Sequence, residues 1–314
     1  MKKLLIMGGS YFIGKWTVEA CKKEFETYVL NRGSKPNIDP YVHQIICDRH
    51  NVEDMKQKLH KMAFDYVIDI SGVNKMQSEI LMQSLDLKAL KKMIYISSSA
   101  VYNIEKLHTP FKETDMLGGN SPFKDYAAHK IEAETYLKEN LPKETLWIFR
   151  PPIVYGEDNY ILRERLIFKW IESETNIYVP KSNHRIQFVY VKDLAEQIKD
   201  ALLDNIPSGI YNVGYTQAPT FTTWIKMCEA VVGIKAHYQM IDHHKLGLDI
   251  RTFFPFFDYD NILDVSKLKT YSTIETPMSI GLSRAYEDYI EHRTHIEVPD
   301  VIRQTYAKLK KMVK

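Results

Sequence analysis

Short apolar runs alternate with amphipathic stretches through the first half of the chain. Leu4-Leu5-Ile6-Met7 reads as a buried strand, and after a glycine-rich turn Ile13, Trp16, Thr17 and Ala20 recur at helical spacing. Tyr28–Leu30 and Ile45–Cys47 are the second and third strands, followed by a helix from Val52 to about His60 and a fourth strand over Tyr66–Ile70. A helix from about Gln77 to Leu90 leads to a fifth strand, Met93–Ile96, which ends in Ser97-Ser98-Ser99. Asn103 to Lys124 carries turn residues without a period and reads as a loop. A helix from about Tyr126 stops near Asn140, with Pro142 just beyond, and Leu146–Phe149 is a sixth strand. Strands separated in this way by helices predict an α/β fold with a doubly wound, Rossmann-type parallel sheet.

The pattern weakens later. Phe188–Val191 reads as a strand followed by a helix with Asp193 as its N-cap, Gly209–Gly214 as another strand, and Thr220 as the cap of a helix running to about Val232. The aromatic stretch Phe253–Phe257 is expected in a core or a dimer contact rather than as a base-stacking platform. Lys308–Lys314 reads as a solvated helix end.

Composition changes this picture little. A chain of 314 residues fits one large α/β unit or two joined domains. Its 42 basic and 40 acidic side chains leave a net charge of +2, which gives no case for a polyanion-binding surface, although an asymmetric basic face stays open. Cys21, Cys47 and Cys228 lack a C-x-x-C spacing, so neither a disulfide framework nor a structural zinc site is expected. No apolar run reaches membrane-spanning length or forms a signal-peptide core, and the chain reads as cytoplasmic. His243-His244 with Asp242 has no further ligand at helical or hairpin spacing; it reads as a surface loop, and no metal is expected.

The turn Gly8-Gly9-Ser10-Tyr11-Phe12-Ile13-Gly14 lies between the first strand and the first helix, where a dinucleotide fingerprint belongs. Gly8 permits a tight turn, Gly14 lets the helix pack close to the sheet, and the free N–H groups of the helix start face a pyrophosphate. Tyr11 replaces the middle glycine, so backbone and phosphates approach less closely, and its ring is expected near the adenosine end. The second strand ends in Asn31-Arg32 without an acidic residue for the ribose. Arg32 either pairs with a 2′-phosphate, which tilts the expected cofactor from NAD toward NADP, or is a solvated charge. Asp48 either meets the adenine amino group or caps the following turn.

Tyr126 and Lys130 stand four residues apart, one turn along a single helical face. A free phenol, with a pKa of about 10, is a poor base near neutrality. A nearby ammonium and an oxidised nicotinamide favour the phenolate, which can then take a proton from an alcohol as hydride leaves its carbon. Ser98, at the C-terminal edge of the fifth strand, is placed to hydrogen-bond the substrate oxygen.

These blocks resemble the extended short-chain dehydrogenase/reductases of the NAD-dependent epimerase/dehydratase superfamily. The glycine turn, Ser97–Tyr102 and Tyr126…Lys130 carry the likeness, as do Arg150-Pro151-Pro152-Ile153-Val154-Tyr155-Gly156, Phe188–Ala195 and Tyr211-Asn212-Val213-Gly214, all in family order. The resemblance implies a dinucleotide domain over 1–156 and about 186–214, and a smaller C-terminal α/β substrate domain over 157–185 and 215–314. It implies Tyr126 as base, Lys130 as ribose ligand and pKa modifier, and Ser98 as substrate ligand. Further expected dinucleotide contacts are Ser10, Phe12, Ile13, Ser71, Pro151 and Ile153, and a homodimer is implied. Ser99 and Arg185 are additional candidates for a sugar or nucleotide-sugar-like substrate.

The chain departs from UDP-galactose 4-epimerase-like members in two places. Arg185 stands one residue out of register with their arginine before Val-x-Asp, and their Arg-x-Gly-Asp stretch is replaced by Arg251–Asp258. The glycine turn, Asn31-Arg32-Gly33 and the Phe-Pro-Phe stretch look more like an atypical subgroup that includes chloroplast stem-loop-binding proteins, which act on RNA. The expectation is therefore an NAD(P)-dependent epimerase, dehydratase or reductase, with an RNA-binding or cofactor-sensing protein on the same fold as the alternative.

Overall fold

The computed structural model describes residues 1–34 and 39–312. It divides into two units, the first comprising Met1–Val154, Phe188–Thr216 and Leu263–Glu275 and the second Tyr155–Gln187, Gln217–Ile262 and Thr276–Lys314.

In the first unit the apolar runs become seven parallel strands: β1 (Lys3–Met7), β2 (Glu26–Asn31), β3 (Val42–Ile46), β4 (Tyr66–Asp69), β5 (Lys92–Ile96), β6 (Leu146–Arg150) and, later in the chain, β10 (Gly209–Asn212). Their order across the sheet is β10-β6-β5-β4-β1-β2-β3, so the winding reverses between β1 and β4. A reversal of this kind opens a crevice beyond the C-terminal strand ends. Leu5 and Met7 of β1, Met93 and Tyr95 of β5, and Leu146 and Ile148 of β6 face one buried core with residues of α2 (Val52–Leu59), α3 (Lys75–Ser84) and α4 (Lys124–Asn140). The alternate residues Leu4, Ile6 and Ile94 are equally buried, which is why these strands read as unbroken apolar runs. Each such Leu or Ile contributes roughly 1.5–3 kcal/mol. Helix α1 (Phe12–Cys21) packs against α6 (Val191–Leu202), and α3 packs against both α2 and α4.

Several boundaries differ from the sequence expectation, two of them with consequences beyond a shift of a residue or two. The third helix ends at Ser84, not Leu90, because Leu85 turns to extended backbone while keeping its side chain in the core. The strand β9 (Phe188–Tyr190), which pairs with β7 (Ile153–Tyr155), runs directly into α6. The N-cap of α6 is therefore Tyr190, and Asp193 is a buried residue of its first turn. Leu263–Glu275, which contains the short α8 (Ser266–Lys269), also belongs to the first unit. Its Asp264 backbone N–H donates to the Phe111 carbonyl at 2.7 Å, and Lys267 Nζ donates to the Ile210 carbonyl at 2.8 Å.

The second unit contains α5 (Glu164–Glu172), α7 (Phe221–Val232), α9 (Met278–His292) and α10 (Asp300–Met312), with a two-stranded parallel sheet of β8 (Ile177–Pro180) and β11 (Tyr238–Ile241). Thr220 caps α7 as expected, accepting from the Thr223 N–H, and Gly233 closes it in the left-handed conformation. Trp170 stacks on Tyr306 at 5.0 Å, and Phe221 meets Phe254 edge-on at 5.0 Å. Phe253, Phe254 and Phe256 are buried, so the aromatic stretch is core. At the C-terminal end Lys308, Lys310 and Lys311 are exposed around the buried Leu309, while Val313 and Lys314 lie outside the described residues. Among the described residues no helix is long and apolar enough to cross a membrane. All three cysteines are free and buried.

Candidate active site

The first unit's chemistry begins at the β1–α1 turn. Gly8 adopts φ +93°, and a Cβ there would stand 2.8 Å from the Cβ of Ser71. Gly14 needs its missing side chain for space alone: a Cβ would lie 1.9 Å from the Gly8 carbonyl oxygen. The start of α1 is thus pressed against the end of β1. Tyr11 is the N-cap of α1 and offers it no side-chain cap; its ring is 44% exposed. Phe12 is buried, and Ile13 is half-buried with its carbonyl accepting from Thr17 Oγ1.

Beyond this turn lies a cavity of about 330 Å³. Gly8, Ser10, Tyr11, Asn31, Arg32, Asp48 and Ser71 from the sequence reading all line it. Asn31 is committed on both sides, donating to Ser10 Oγ at 2.9 Å and accepting from the Gly33 N–H and Gln44 Nε2. Asp48 adopts the turn-capping alternative, with its Oδ1 accepting from the His50 backbone N–H at 3.0 Å. That hydrogen bond is the main reason its pKa lies below the usual carboxylate value, with Arg32 contributing.

Arg49, which no local sequence pattern marks, forms the floor of this cavity. Arg49 grips the fully buried carboxylate of Asp69 with two bonds of 2.9 Å and donates to Ser71 Oγ at 2.7 Å. Asp69 Oδ1 also accepts from the Gly72 N–H at 2.8 Å, an approach so close that a Cβ on Gly72 would meet the carboxylate at 2.3 Å. A charge that ends a buried strand requires a partner. That requirement was readable from Asp69, but the partner lies twenty residues earlier and no local pattern names it.

The Gly72 carbonyl joins this floor to the second group of candidates. It accepts from Lys130 Nζ at 2.7 Å and from the Tyr95 hydroxyl at 3.0 Å. Lys130 Nζ also donates to the Ile96 carbonyl at 2.7 Å and lies 4.7 Å from the centre of the Tyr95 ring. Burial lowers the Lys130 pKa to about 8, against the pull of Asp69 and Glu134. Tyr126, one turn earlier on α4, is 38% exposed. The helix therefore carries a buried amine and an accessible phenol on one side, as the four-residue spacing requires.

Ser98 is half-buried at the end of β5, and its Oγ accepts from the Ala100 N–H at 3.2 Å. That bond uses an acceptor position of the hydroxyl and leaves its proton for another acceptor. Ser99 is buried, and its N–H donates to the Pro151 carbonyl at 2.9 Å, which ties the serine run to the segment holding Pro151 and the half-buried Ile153. Beneath, Ser97 Oγ donates to Glu134 at 2.5 Å, and Glu134 is clasped by Arg150 at 2.9 and 2.6 Å with both side chains buried. Arg150 also donates to the Tyr102 hydroxyl, which donates to Asn212 Oδ1 at 2.5 Å. This pairing fixes α4 against β6.

Arg185 belongs to the second unit, where its backbone N–H donates to Asp260 Oδ1 at 2.7 Å and its side chain is half-exposed. The expected surface loop at His243-His244 is corrected in part. His244 is exposed, but His243 is buried because its ring packs on Phe253.

Comparison with known proteins gives the frame for these groups. A model described as the NAD dependent epimerase/dehydratase family matches residues 4–214. A relative, chloroplast stem-loop binding protein of 41 kDa b from Arabidopsis thaliana, is 28% identical over 288 residues, covering 85% of this chain and 73% of that protein. UDP-glucose 4-epimerase from Thermotoga maritima, solved with UDP-glucose, has a TM-score of 0.74 at 17% identity, covering 93% of this chain and 99% of that one. WbmH from Bordetella bronchiseptica, solved in complex with NAD+, has a TM-score of 0.76 at 16% identity over the same shares. At such identities the structural likeness is one of fold.

Proposed function

The chain belongs to the NAD dependent epimerase/dehydratase family, and we propose that it is an NAD(P)-using epimerase or dehydratase for a nucleotide-sugar-like substrate, with Tyr126 as general base. The observation that carries this reading is the buried Lys130 amine one helical turn from the accessible Tyr126 phenol, wired through the Gly72 carbonyl to the floor of the cavity beside the glycine turn.

The residues present fit a dinucleotide. Without side chains at Gly8 and Gly14 the start of α1 closes onto the end of β1 and onto Ser71, and that helix start offers its N–H groups to a pyrophosphate. Ser10 and Arg32 line the adjoining cavity as ligands for the adenosine end, with Asn31 and Asp48 holding its wall. Bound there, the dinucleotide supplies hydride acceptance and return at the substrate carbon.

The chain's own groups handle the proton. Below about pH 8 the Lys130 amine is charged, and in its dry setting it favours the phenolate of Tyr126. Tyr126 Oη then accepts the proton of a substrate hydroxyl and later returns it. Ser98, whose Oγ already accepts from Ala100, donates its own proton to the same substrate oxygen and orients it. Arg32, exposed at the cavity with no carboxylate at the end of β2, favours the 2′-phosphate of NADP over NAD.

The test is turnover of UDP-glucose and related nucleotide sugars by the purified chain supplied with NAD+ or NADP+. Tyr126→Phe is expected to bind dinucleotide normally and to lose turnover by about 10²-fold or more. Undiminished turnover removes Tyr126 from the mechanism. The likeness to a stem-loop-binding protein supports a second reading, RNA binding on the same fold. Salt-dependent binding of a stem-loop RNA, without turnover of any nucleotide sugar, would favour it.

A further inference from the structure

One group of side chains in the second unit takes no part in the chemistry proposed above. After β11 the chain turns at Asp242, and His243 and His244 follow with their rings 4.1 Å apart, centre to centre. The aromatic segment after them then brings Asp258 back to the same place. His244 Nε2 lies 3.1 Å and His243 Nε2 3.4 Å from one oxygen of Asp258, Oδ2. One ligand atom from each of the three residues lies within 4.8 Å of the other two.

A hydrogen-bonded cluster and a metal site predict different spacings for His243. Hydrogen-bonded N–H···O pairs lie at about 2.7–3.2 Å, so His244 at 3.1 Å is hydrogen-bonded to Asp258, whereas the His243 contact at 3.4 Å is too long for one. Ligands held tetrahedrally at about 2.0–2.1 Å from a zinc-like ion stand roughly 3.3 Å from one another along each edge. The separations of 3.1 and 3.4 Å fall on either side of that edge.

The surroundings orient the carboxylate as outer partners of a metal site do. The other carboxylate oxygen of Asp258 accepts from the Ser182 hydroxyl, which fixes the plane of the carboxylate. His184 Nε2 stands 3.7 Å from that same oxygen, while its Nδ1 is bonded to Asp260 Oδ1 at 3.1 Å. His243 is buried against Phe253, whereas the His244 side chain is 79% exposed, so the site is anchored on one side and open to solvent on the other.

We propose that His243 Nε2, His244 Nε2 and Asp258 Oδ2 bind one first-row divalent cation of the zinc class, with a fourth position open to water or to an anionic oxygen. Two imidazoles and one carboxylate suit zinc or cobalt better than magnesium or calcium, which prefer all-oxygen shells. The inference does not depend on the roles of Tyr126 and Lys130.

The experiment uses the full chain after dialysis against a chelator. Cobalt(II) is the optical probe, and zinc(II) is titrated by calorimetry. The wild type is expected to take up one equivalent of either ion, and the cobalt form to show the intense visible bands of a four-coordinate site. His244→Ala, a substitution at an exposed side chain, is expected to keep the fold by circular dichroism and to weaken zinc binding by at least about tenfold. Asp258→Asn is expected to do the same. Failure of the wild type to bind, weak six-coordinate cobalt bands, or a folded His244→Ala that binds as tightly as the wild type would each overturn the proposal.

Discussion

Replacing Gly14 by alanine tests the contact on which the proposed dinucleotide cradle depends. The backbone of Gly14 lies outside the left-handed region, so alanine is conformationally acceptable there and the penalty is purely steric. The new Cβ would stand 1.9 Å from the Gly8 carbonyl oxygen and 2.9 Å from the Gly9 Cα. Real Cβ atoms essentially never approach another heavy atom closer than 3.0 Å, so α1 must withdraw from the end of β1 by about 1 Å or more. The other side of α1 is packed on α6, which resists the movement. Overpacking of this kind costs about 1–3 kcal/mol, and a rigid backbone obstacle places Gly14→Ala at the upper end. The withdrawn helix start also loses its approach to a pyrophosphate. Urea denaturation should show the loss of stability, and calorimetry a fall of at least about tenfold in dinucleotide affinity. Gly247→Ala is the control, since nothing lies within 4 Å of its Cβ position and only its φ of +62° is unfavourable. A Gly14→Ala protein as stable as Gly247→Ala, with unchanged dinucleotide affinity, would refute the reasoning.

Arg150→Met leaves the buried Glu134 carboxylate with Ser97 as its remaining side-chain partner, and is expected to cost about 3–5 kcal/mol in urea denaturation. The double variant Glu134→Gln/Arg150→Met should regain part of that loss; a single-variant cost below about 1 kcal/mol would show that the pair does not hold α4. Arg32→Ala is expected to weaken NADP+ binding by at least about tenfold while leaving NAD+ binding nearly unchanged. Equal effects on the two dinucleotides would assign Arg32 to the solvated strand end.

The parallel sheet was legible because strands buried on both faces print themselves as apolar runs, as Leu4–Met7 and Met93–Ile96 do. The glycine turn and the Tyr126–Lys130 spacing were legible because each is local: one needs a strand–turn–helix, the other a single helical turn. Helix ends were less so, since Leu85 stays in the core after the helix has stopped. In the second unit α9 went unread, although Gly281, Leu282, Ala285 and Tyr289 are its buried face at helical spacing and Pro277 marks its start. The buried polar partners could not be read at all. Arg49 with Asp69, Glu134 with Arg150, and Asp258 with His243 are each separated by more than ten residues, and only the folded chain joins them.

The central claim is that a buried amine and a phenol act together beside the dinucleotide, and titration of the Tyr126 phenol tests it most directly. The near-ultraviolet phenolate signal of NAD+-saturated protein, less that of Tyr126→Phe, isolates this one hydroxyl among the chain's tyrosines. The expected result is a phenol that ionises below the ordinary tyrosine range and moves back toward it in Lys130→Met. A Tyr126 signal that titrates in the ordinary range, or is indifferent to Lys130, would contradict the account.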